Sequence, residues 1–271
     1  MKCDVCFRAC DLKEGQEGFC KGRINENGVI KAKNYGKISS AALDPIEKKP
    51  LVNFYPGSMI LSVGSYGCSL RCPFCQNHEI SQHDLDLQCE SVTPKQLAEK
   101  ALSLKPYGNI GVAFTYNEPM VGYEFIRDTA KLVHEMGMKT VVVTSGNATV
   151  PTLEKILPYV DAFNVDLKGF TPEAYKYVGG DLETTKAFIK RAAKDAHVEV
   201  TTLVVPGKND FVEEMEKMAK WLADISPDIV LHLSRYFPRY HETIPATPIE
   251  TLKTLQKTAQ KYLKHVVLGN V

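Results

Sequence analysis

The sequence has no long apolar run, no surplus of either charge, no internal repeat and no low-complexity tract. Each absence excludes something. No stretch approaches the roughly 20 consecutive apolar residues of a bilayer-spanning helix, so no membrane is expected. Lys and Arg number 33 against 32 Asp and Glu. Without the basic field on which nucleic-acid and membrane-surface binding depend, nucleic acid is not an expected partner. The start, Met1-Lys2-Cys3-Asp4, carries no apolar signal core, which points to the cytoplasm. In that reducing compartment disulfides are the wrong use for cysteine.

Cysteine is nevertheless what the chain has in excess. Of 8 cysteines, Cys3, Cys6, Cys10 and Cys20 open the sequence, Cys68, Cys72 and Cys75 form a second group, and none follows Cys89. Cys89 stands alone and reads as an ordinary small apolar residue. The first third of the chain therefore holds whatever chemistry the thiols support, and the rest supplies a scaffold and the remainder of a site.

The length of 271 residues, 44% of them hydrophobic, suits one large α/β domain preceded by a short segment. Residues 1–30 are rich in Cys, Gly and charge and too short for an apolar core, so they fold only if stapled. Residues 31–58 carry Asp44-Pro45, Lys49-Pro50 and Tyr55-Pro56-Gly57 and read as an irregular connecting segment packed on the large domain. From 59 to 271 short apolar runs alternate with amphipathic stretches. Strands are predicted over 59–63, 110–114, 140–144, 162–166, 198–205, 229–233 and 265–268.

Helix starts are predicted at Thr93-Pro94-Lys95-Gln96 and Thr247-Pro248-Ile249-Glu250, each a capping residue, a first-turn proline and an acceptor three positions on. Asp210-Phe211-Val212-Glu213 gives the same signal without proline, Thr171-Pro172 opens another helix, and Pro119 and Pro151 open two more. Strand and helix alternate about six times, which implies parallel pairing with right-handed crossovers. A complete eight-unit barrel takes about 250 residues for its repeats alone. The expected fold is therefore α/β, a partial (β/α)6 TIM-like barrel with a short Cys-rich N-terminal segment; a doubly wound sheet is the rival.

Cys68-Ser69-Leu70-Arg71-Cys72-Pro73-Phe74-Cys75 directly follows the first predicted strand. Three thiolates in eight residues can wrap one face of an iron–sulfur cluster, leaving one iron open. The alternative is a Cys3His zinc knuckle that recruits His78. Four polar elements follow later strands: Thr115-Tyr116-Asn117-Glu118-Pro119, Thr144-Ser145-Gly146-Asn147, Asp166-Leu167-Lys168 and Leu231-His232-Leu233. Alternation sets Asn164, Asp166 and Lys168 on one face of their strand, a polar stripe that needs a ligand or internal pairing. Cys68, Glu118, Thr144, Asp166 and His232 all fall at or just past the C-terminal ends of strands, where sites in parallel barrels gather.

The Cys-x3-Cys-x2-Cys spacing, with Phe74 before the last cysteine, resembles the signature of the radical S-adenosylmethionine superfamily. The resemblance implies a 4Fe–4S cluster on Cys68, Cys72 and Cys75 that reductively cleaves S-adenosylmethionine to a 5'-deoxyadenosyl radical. It places Phe74, Asn117, Glu118, Thr144, Asp166, Lys168 and His232 around that cofactor, Glu118 on its ammonium. Tyr116 and Asn117 stand where the family pattern has two glycines.

Beyond these motifs, Asp44-Pro45-Ile46-Glu47-Lys48-Lys49-Pro50-Leu51, Asn53-Phe54-Tyr55-Pro56-Gly57, Cys75-Gln76-Asn77 and Val267-Leu268-Gly269-Asn270-Val271 resemble the AmmeMemoRadiSam-system radical enzymes, a branch like the pyruvate formate-lyase activating enzymes. This implies an oxidoreductase acting on a protein or small molecule, an electron donor, and Memo-like and AMMECR-like proteins as candidate partners. A noncatalytic electron-transfer or metal-binding module is the reading from another class. Cys3, Cys6, Cys10 and Cys20 are read as a second metal site, zinc or a second iron–sulfur cluster.

Overall fold

A computed structural model describes residues 1–82 and 88–271. Among the described residues one large sheet runs in sequence order: β1 (Ser40–Pro45), β2 (Met59–Gly64), β3 (Asn109–Phe114), β4 (Lys139–Thr144), β5 (Ala162–Asp166), β6 (His197–Val204), β7 (Val230–Arg235) and β8 (Val266–Gly269). β1 pairs antiparallel with β2, and every later neighbour is parallel. The sheet does not close on itself, so the architecture is an α/β partial barrel.

The parallel strands read as near-continuous apolar runs because helices cover their outer face. The helices are α1 (His78–Ser81), α2 (Pro94–Ser103), α3 (Tyr123–Glu135), α4 (Val150–Glu154), α5 (Pro172–Val178), α6 (Leu182–Ala192), α7 (Val212–Ile225) and α8 (Ile249–Ala259). Each long one turns an apolar stripe inward: Phe125, Ile126, Ala130 and Val133 on α3, Met215, Met218, Ala219 and Leu222 on α7. The cap of α2 is the predicted capping box, with the Thr93 hydroxyl and the Gln96 side chain exchanging bonds with each other's backbone N–H.

Three local expectations are corrected. Residues 31–58 are not irregular throughout, because β1 lies within them. Ser-Ala-Ala-Leu-Asp-Pro has neither alternation nor β-branched side chains, and it is extended because β2 offers it an edge. Thr247 does not cap α8: its hydroxyl donates to the Val204 carbonyl at 2.6 Å and accepts from Tyr236 N–H at 3.2 Å, tying β6 to the chain after β7. Asp210 does not cap α7 but accepts the Gly207 N–H at 2.8 Å, closing the preceding turn.

The lower half of the barrel interior is filled by the segment between β1 and β2. Ile46, Leu51 and Phe54 pack with Ile60, Ala113, Val141 and Ala162. Polar side chains from the strands hold this plug by its backbone. Asn164 donates to the Pro50 carbonyl at 2.8 Å, and Glu199 accepts N–H bonds from Val52 at 3.1 Å and Asn53 at 2.8 Å. With its lower half closed, the barrel is left open at the C-terminal ends of its strands.

Residues 1–30 lie against that open end. Arg23–Glu26 forms a hairpin with Val29–Ala32, which runs just past this segment, and the Cys6 backbone makes a β-bridge with Ala148 in the loop after β4. Buried Arg23 reaches Glu124 on α3 at 2.7 Å.

Candidate active site

The loop after β3 carries Glu118, whose side chain is 3% exposed. A buried carboxylate is tolerable only when its oxygens are hydrogen-bonded. One oxygen accepts from Thr144 Oγ1 at 2.6 Å and Met120 N at 3.1 Å, the other from Ser145 N at 2.8 Å and Ser145 Oγ at 2.5 Å. The ends of β3 and β4 thus fix an oriented anion at the mouth of the barrel. Ser145 escaped the sequence reading; a second hydroxyl beside Thr144 was the only signal for it.

The backbone reaches Glu118 without the glycines of the family pattern. Tyr116 adopts φ +70°, a left-handed conformation that costs a side-chain-bearing residue about 1 kcal/mol or more. Its hydroxyl donates to Asp44 at 2.8 Å, and the Lys49 ammonium lies over its ring at 4.7 Å. Asp44 and Lys49 are themselves a buried pair at 3.0 Å. These contacts hold the strained residue in place. The Asn117 side chain ties this loop to its neighbour. Its amide oxygen accepts Ser65 N–H, and its nitrogen donates to the carbonyls of Tyr66 and Gly67, joining this loop to the one that carries the cysteines.

The cysteine loop follows β2. The Cys68 thiol accepts Leu70 N–H at 3.3 Å, a bond that suits a thiolate. Burial pushes Cys68 well above the usual thiol range, and the Glu118 carboxylate and Cys72 push it further. Burial also pushes Cys72 up to about 12, opposed by the nearby Lys168 ammonium. Burial disfavours that ammonium, yet Asp166 at 2.9 Å and Cys72 outweigh the effect and raise Lys168. The site therefore joins buried thiols, one carboxylate pocket and one half-buried Asp–Lys pair.

The donor set fits an iron–sulfur cluster: cysteine sulfurs that lose their protons to a metal, an N–H already directed at one of them, and a cation to balance the negative charge. Among the described residues no three Cys, His, Asp or Glu side chains close to the spacing of a single metal ion. His78 is turned elsewhere, with Nδ1 at 3.2 Å from the Cys75 carbonyl and its ring stacked on Tyr240 at 4.2 Å. Phe74 packs into the rim with Tyr177 and Tyr236.

His232 points into the barrel, in register with Thr201 and, through it, with Asp166. Its Nε2 donates to Glu199 at 2.6 Å, and His197 Nε2 donates to the other oxygen at 2.9 Å. Burial alone would raise the Glu199 carboxyl. These two bonds and the N–H groups of Asn53 and Val52 overcome it and bring the group down to about 2. Glu199 was visible in the sequence only as one acid inside the apolar run Val198-Glu199-Val200.

The cysteine loop also packs tightly on the N-terminal segment. Gly67 has φ +91°, and a Cβ there would stand 2.5 Å from the Cys20 carbonyl oxygen. We expect Gly67→Ala to cost about 2 kcal/mol, roughly a 5 °C fall in Tm, read by thermal denaturation. It should also speed proteolytic cleavage within 1–30, since the added methyl separates the two segments.

Comparison with known proteins agrees with this geometry. A family model described as the radical SAM superfamily matches residues 62–222. The uncharacterized protein MJ0808 of Methanocaldococcus jannaschii is 41% identical over 100% of this chain and 81% of its own. The pyruvate formate-lyase-activating enzyme of Clostridium pasteurianum is 27% identical over 74% of this chain and 88% of its own. A solved domain of a pyruvate formate-lyase-activating enzyme from Bacteroides vulgatus superposes with a TM-score of 0.52 at 21% identity. It covers 59% of this chain and 99% of that domain. Streptococcus suis SuiB, solved with S-adenosylmethionine bound, superposes with a TM-score of 0.59 at 14% identity over 75% of this chain and 48% of its own. These two likenesses are of fold.

Proposed function

This chain belongs to the radical SAM superfamily and is like the pyruvate formate-lyase activating enzymes; on that premise we propose that it cleaves S-adenosylmethionine reductively to take a hydrogen atom from a protein or small-molecule substrate. The observation that carries this reading is the convergence of Cys68, Cys72, Cys75, Glu118 and the Asp166–Lys168 pair at one end of the barrel. A 4Fe–4S cluster held by the three cysteines, once reduced by a one-electron donor, would supply the electron that breaks the sulfonium bond and releases methionine and a 5'-deoxyadenosyl radical.

The chain's own residues bind and orient. Glu118, aimed by four donors, receives the cofactor's ammonium. Thr144 and Ser145 fix that carboxylate. Lys168 offers a cation to the cofactor's carboxylate, and Asp166 an acceptor to a ribose hydroxyl. Phe74 contributes apolar wall. Asn117 shapes the loop between β3 and Glu118, and His232, held by Glu199, keeps the floor of the cavity closed. Residues 1–30 serve as a metal-binding unit through Cys3, Cys6, Cys10 and Cys20, and the whole-length match to MJ0808 supports treating that unit as part of one enzyme with the barrel.

The AmmeMemoRadiSam branch, a cytoplasmic setting and Memo-like or AMMECR-like partners remain the proposals that the sequence resemblance supplies. They are tested by supplying each partner protein, grown in deuterated medium, to the reduced enzyme with S-adenosylmethionine. Deuterium in the 5'-deoxyadenosine identifies a protein donor. Its absence with every partner contradicts them as the substrate. A noncatalytic module predicts no retention of S-adenosylmethionine by iron-loaded protein in equilibrium dialysis, whereas this reading predicts retention.

A further inference from the structure

We infer that Arg8 is a positioning residue of the radical site. From the N-terminal segment it holds the Ser69–Leu70 peptide group with its N–H aimed at the Cys68 sulfur, and so favours the reduced form of a cluster on Cys68, Cys72 and Cys75. The inference rests on the reading above that these three cysteines hold that cluster.

One peptide group carries the connection. Arg8 Nε donates to the Ser69 carbonyl at 2.6 Å, and Leu70 N–H, the other end of the same peptide unit, donates to Cys68 Sγ at 3.3 Å. In a planar trans peptide the C=O and N–H point in opposite directions. A guanidinium that holds the oxygen therefore also sets the direction of the N–H. It polarises that N–H as well, because hydrogen bonds in series strengthen one another where water is excluded. Ser69 and Leu70 are 1% and 2% exposed.

The guanidinium is fixed from several sides. Its Nη2 donates at 2.6 Å to the carbonyl of Gly179, the left-handed residue that ends α5. It lies over the Phe19 ring, 3.5 Å from the centre, and Arg71 covers the same ring at 4.0 Å. Arg71 Nη1 takes the flanking carbonyls, those of Cys68 at 2.9 Å and Leu70 at 2.7 Å. Three successive carbonyls of the cysteine loop are thus held by two guanidinium groups. A clamp that merely fastened residues 1–30 to the barrel could use any carbonyl of the loop. Arg8 takes the oxygen of the peptide whose N–H meets a cysteine of the triplet.

The charge matters too. Among the described residues the side-chain hydrogen bonds of both arginines go to main-chain carbonyls, and no carboxylate pairs with either. Guanidinium does not lose its proton in a protein, so both charges are permanent. Reduction adds one electron to the site. The reduced form therefore gains more than the oxidised form from an N–H bond to sulfur and from a nearby cation.

The test is anaerobic redox titration of the full, iron-loaded chain, following the reduced-cluster EPR signal that Cys72→Ala lacks. Arg8→Gln is expected to keep the wild-type iron content. Its ratio of oxidised to reduced cluster at a fixed solution potential should rise about tenfold, a shift of about 59 mV to more negative potential for one electron. Arg8→Lys keeps the charge and a donor for Ser69, and its ratio should stay within about twofold of wild type. A wild-type ratio in Arg8→Gln, or Arg8→Lys shifted as far as Arg8→Gln, would overturn the inference. Loss of iron from both variants, with wild-type circular dichroism, would also overturn it, leaving Arg8 a structural clamp. Loss from Arg8→Gln alone would support it, since Arg8→Lys restores the charge. Failure of the radical reading looks different. A wild type without the signal would overturn both, whereas potentials that differ as expected, with S-adenosylmethionine left uncleaved, would contradict that reading alone.

Discussion

Glu118→Gln is expected to weaken S-adenosylmethionine binding roughly a hundred- to a thousandfold, about 3–4 kcal/mol, while the iron content stays at the wild-type level. The substitution removes the charge proposed to meet the cofactor's ammonium. It also disturbs the pocket in a way the geometry makes unavoidable. Each carboxylate oxygen accepts one main-chain N–H, one from Met120 and the other from Ser145. Whichever way the glutamine amide turns, its NH2 group faces an N–H that cannot rotate away. Leaving those groups unpaired costs about 1–3 kcal/mol of stability, visible as a lower denaturation midpoint. Equilibrium dialysis of iron-loaded protein checks the binding prediction. An affinity within a few-fold of wild type would show that Glu118 does not hold the cofactor.

The second large effect lies below the site. Glu199→Leu is expected to cost about 3–5 kcal/mol, because it leaves two histidine nitrogens and two backbone N–H groups of the plug unpaired inside the barrel. Glu199→Gln separates charge from shape. The folded-state carboxyl lies at about 2 against an ordinary 4.5. A depressed carboxyl stabilises the fold fully above its unfolded value, and that contribution is lost as pH falls through the folded value. At neutral pH the shift corresponds to about 3 kcal/mol. The stability difference between wild type and Glu199→Gln should therefore shrink by about 2 kcal/mol between pH 6 and pH 3. Denaturant titration of both chains measures it, and acid loss of bound metal, common to both, cancels in the difference. A difference that does not change with pH would contradict the assignment of Glu199 as a buried carboxylate.

Much of the fold was legible because the strands after residue 58 repeat one pattern. An apolar run bounded by a polar turn and a capped helix marks β2 through β8 whichever neighbours they find. β1 was not legible, since its extended shape comes from the edge that β2 offers. Local signals also misled where a distant partner took the same atom. Thr247 and Asp210 carry the chemistry of helix caps, but Val204 and Tyr236 take the Thr247 hydroxyl and Gly207 takes the Asp210 carboxylate.

The candidate site divides along the same line. The cysteine spacing and Glu118 before Pro119 are contiguous in sequence, so they could be read directly. The neighbours that aim them could not. Ser145 reaches Glu118 across two strands, Asp44 and Lys49 hold Tyr116 from outside the predicted barrel, and Arg8 reaches the cysteine loop from a segment 61 residues away. His232 was legible as an inward residue. Its tie to Glu199 depends on the register of β6 against β7, which no spacing within either strand reveals.

One assay bears on the whole account. Protein reconstituted with iron and sulfide without oxygen, reduced with dithionite and given S-adenosylmethionine, should release 5'-deoxyadenosine and methionine in equal amounts. Neither product should form without reductant or with Cys72→Ala. Intact S-adenosylmethionine after incubation with iron-loaded, reduced wild type, or product formation unchanged in Cys72→Ala, would contradict it.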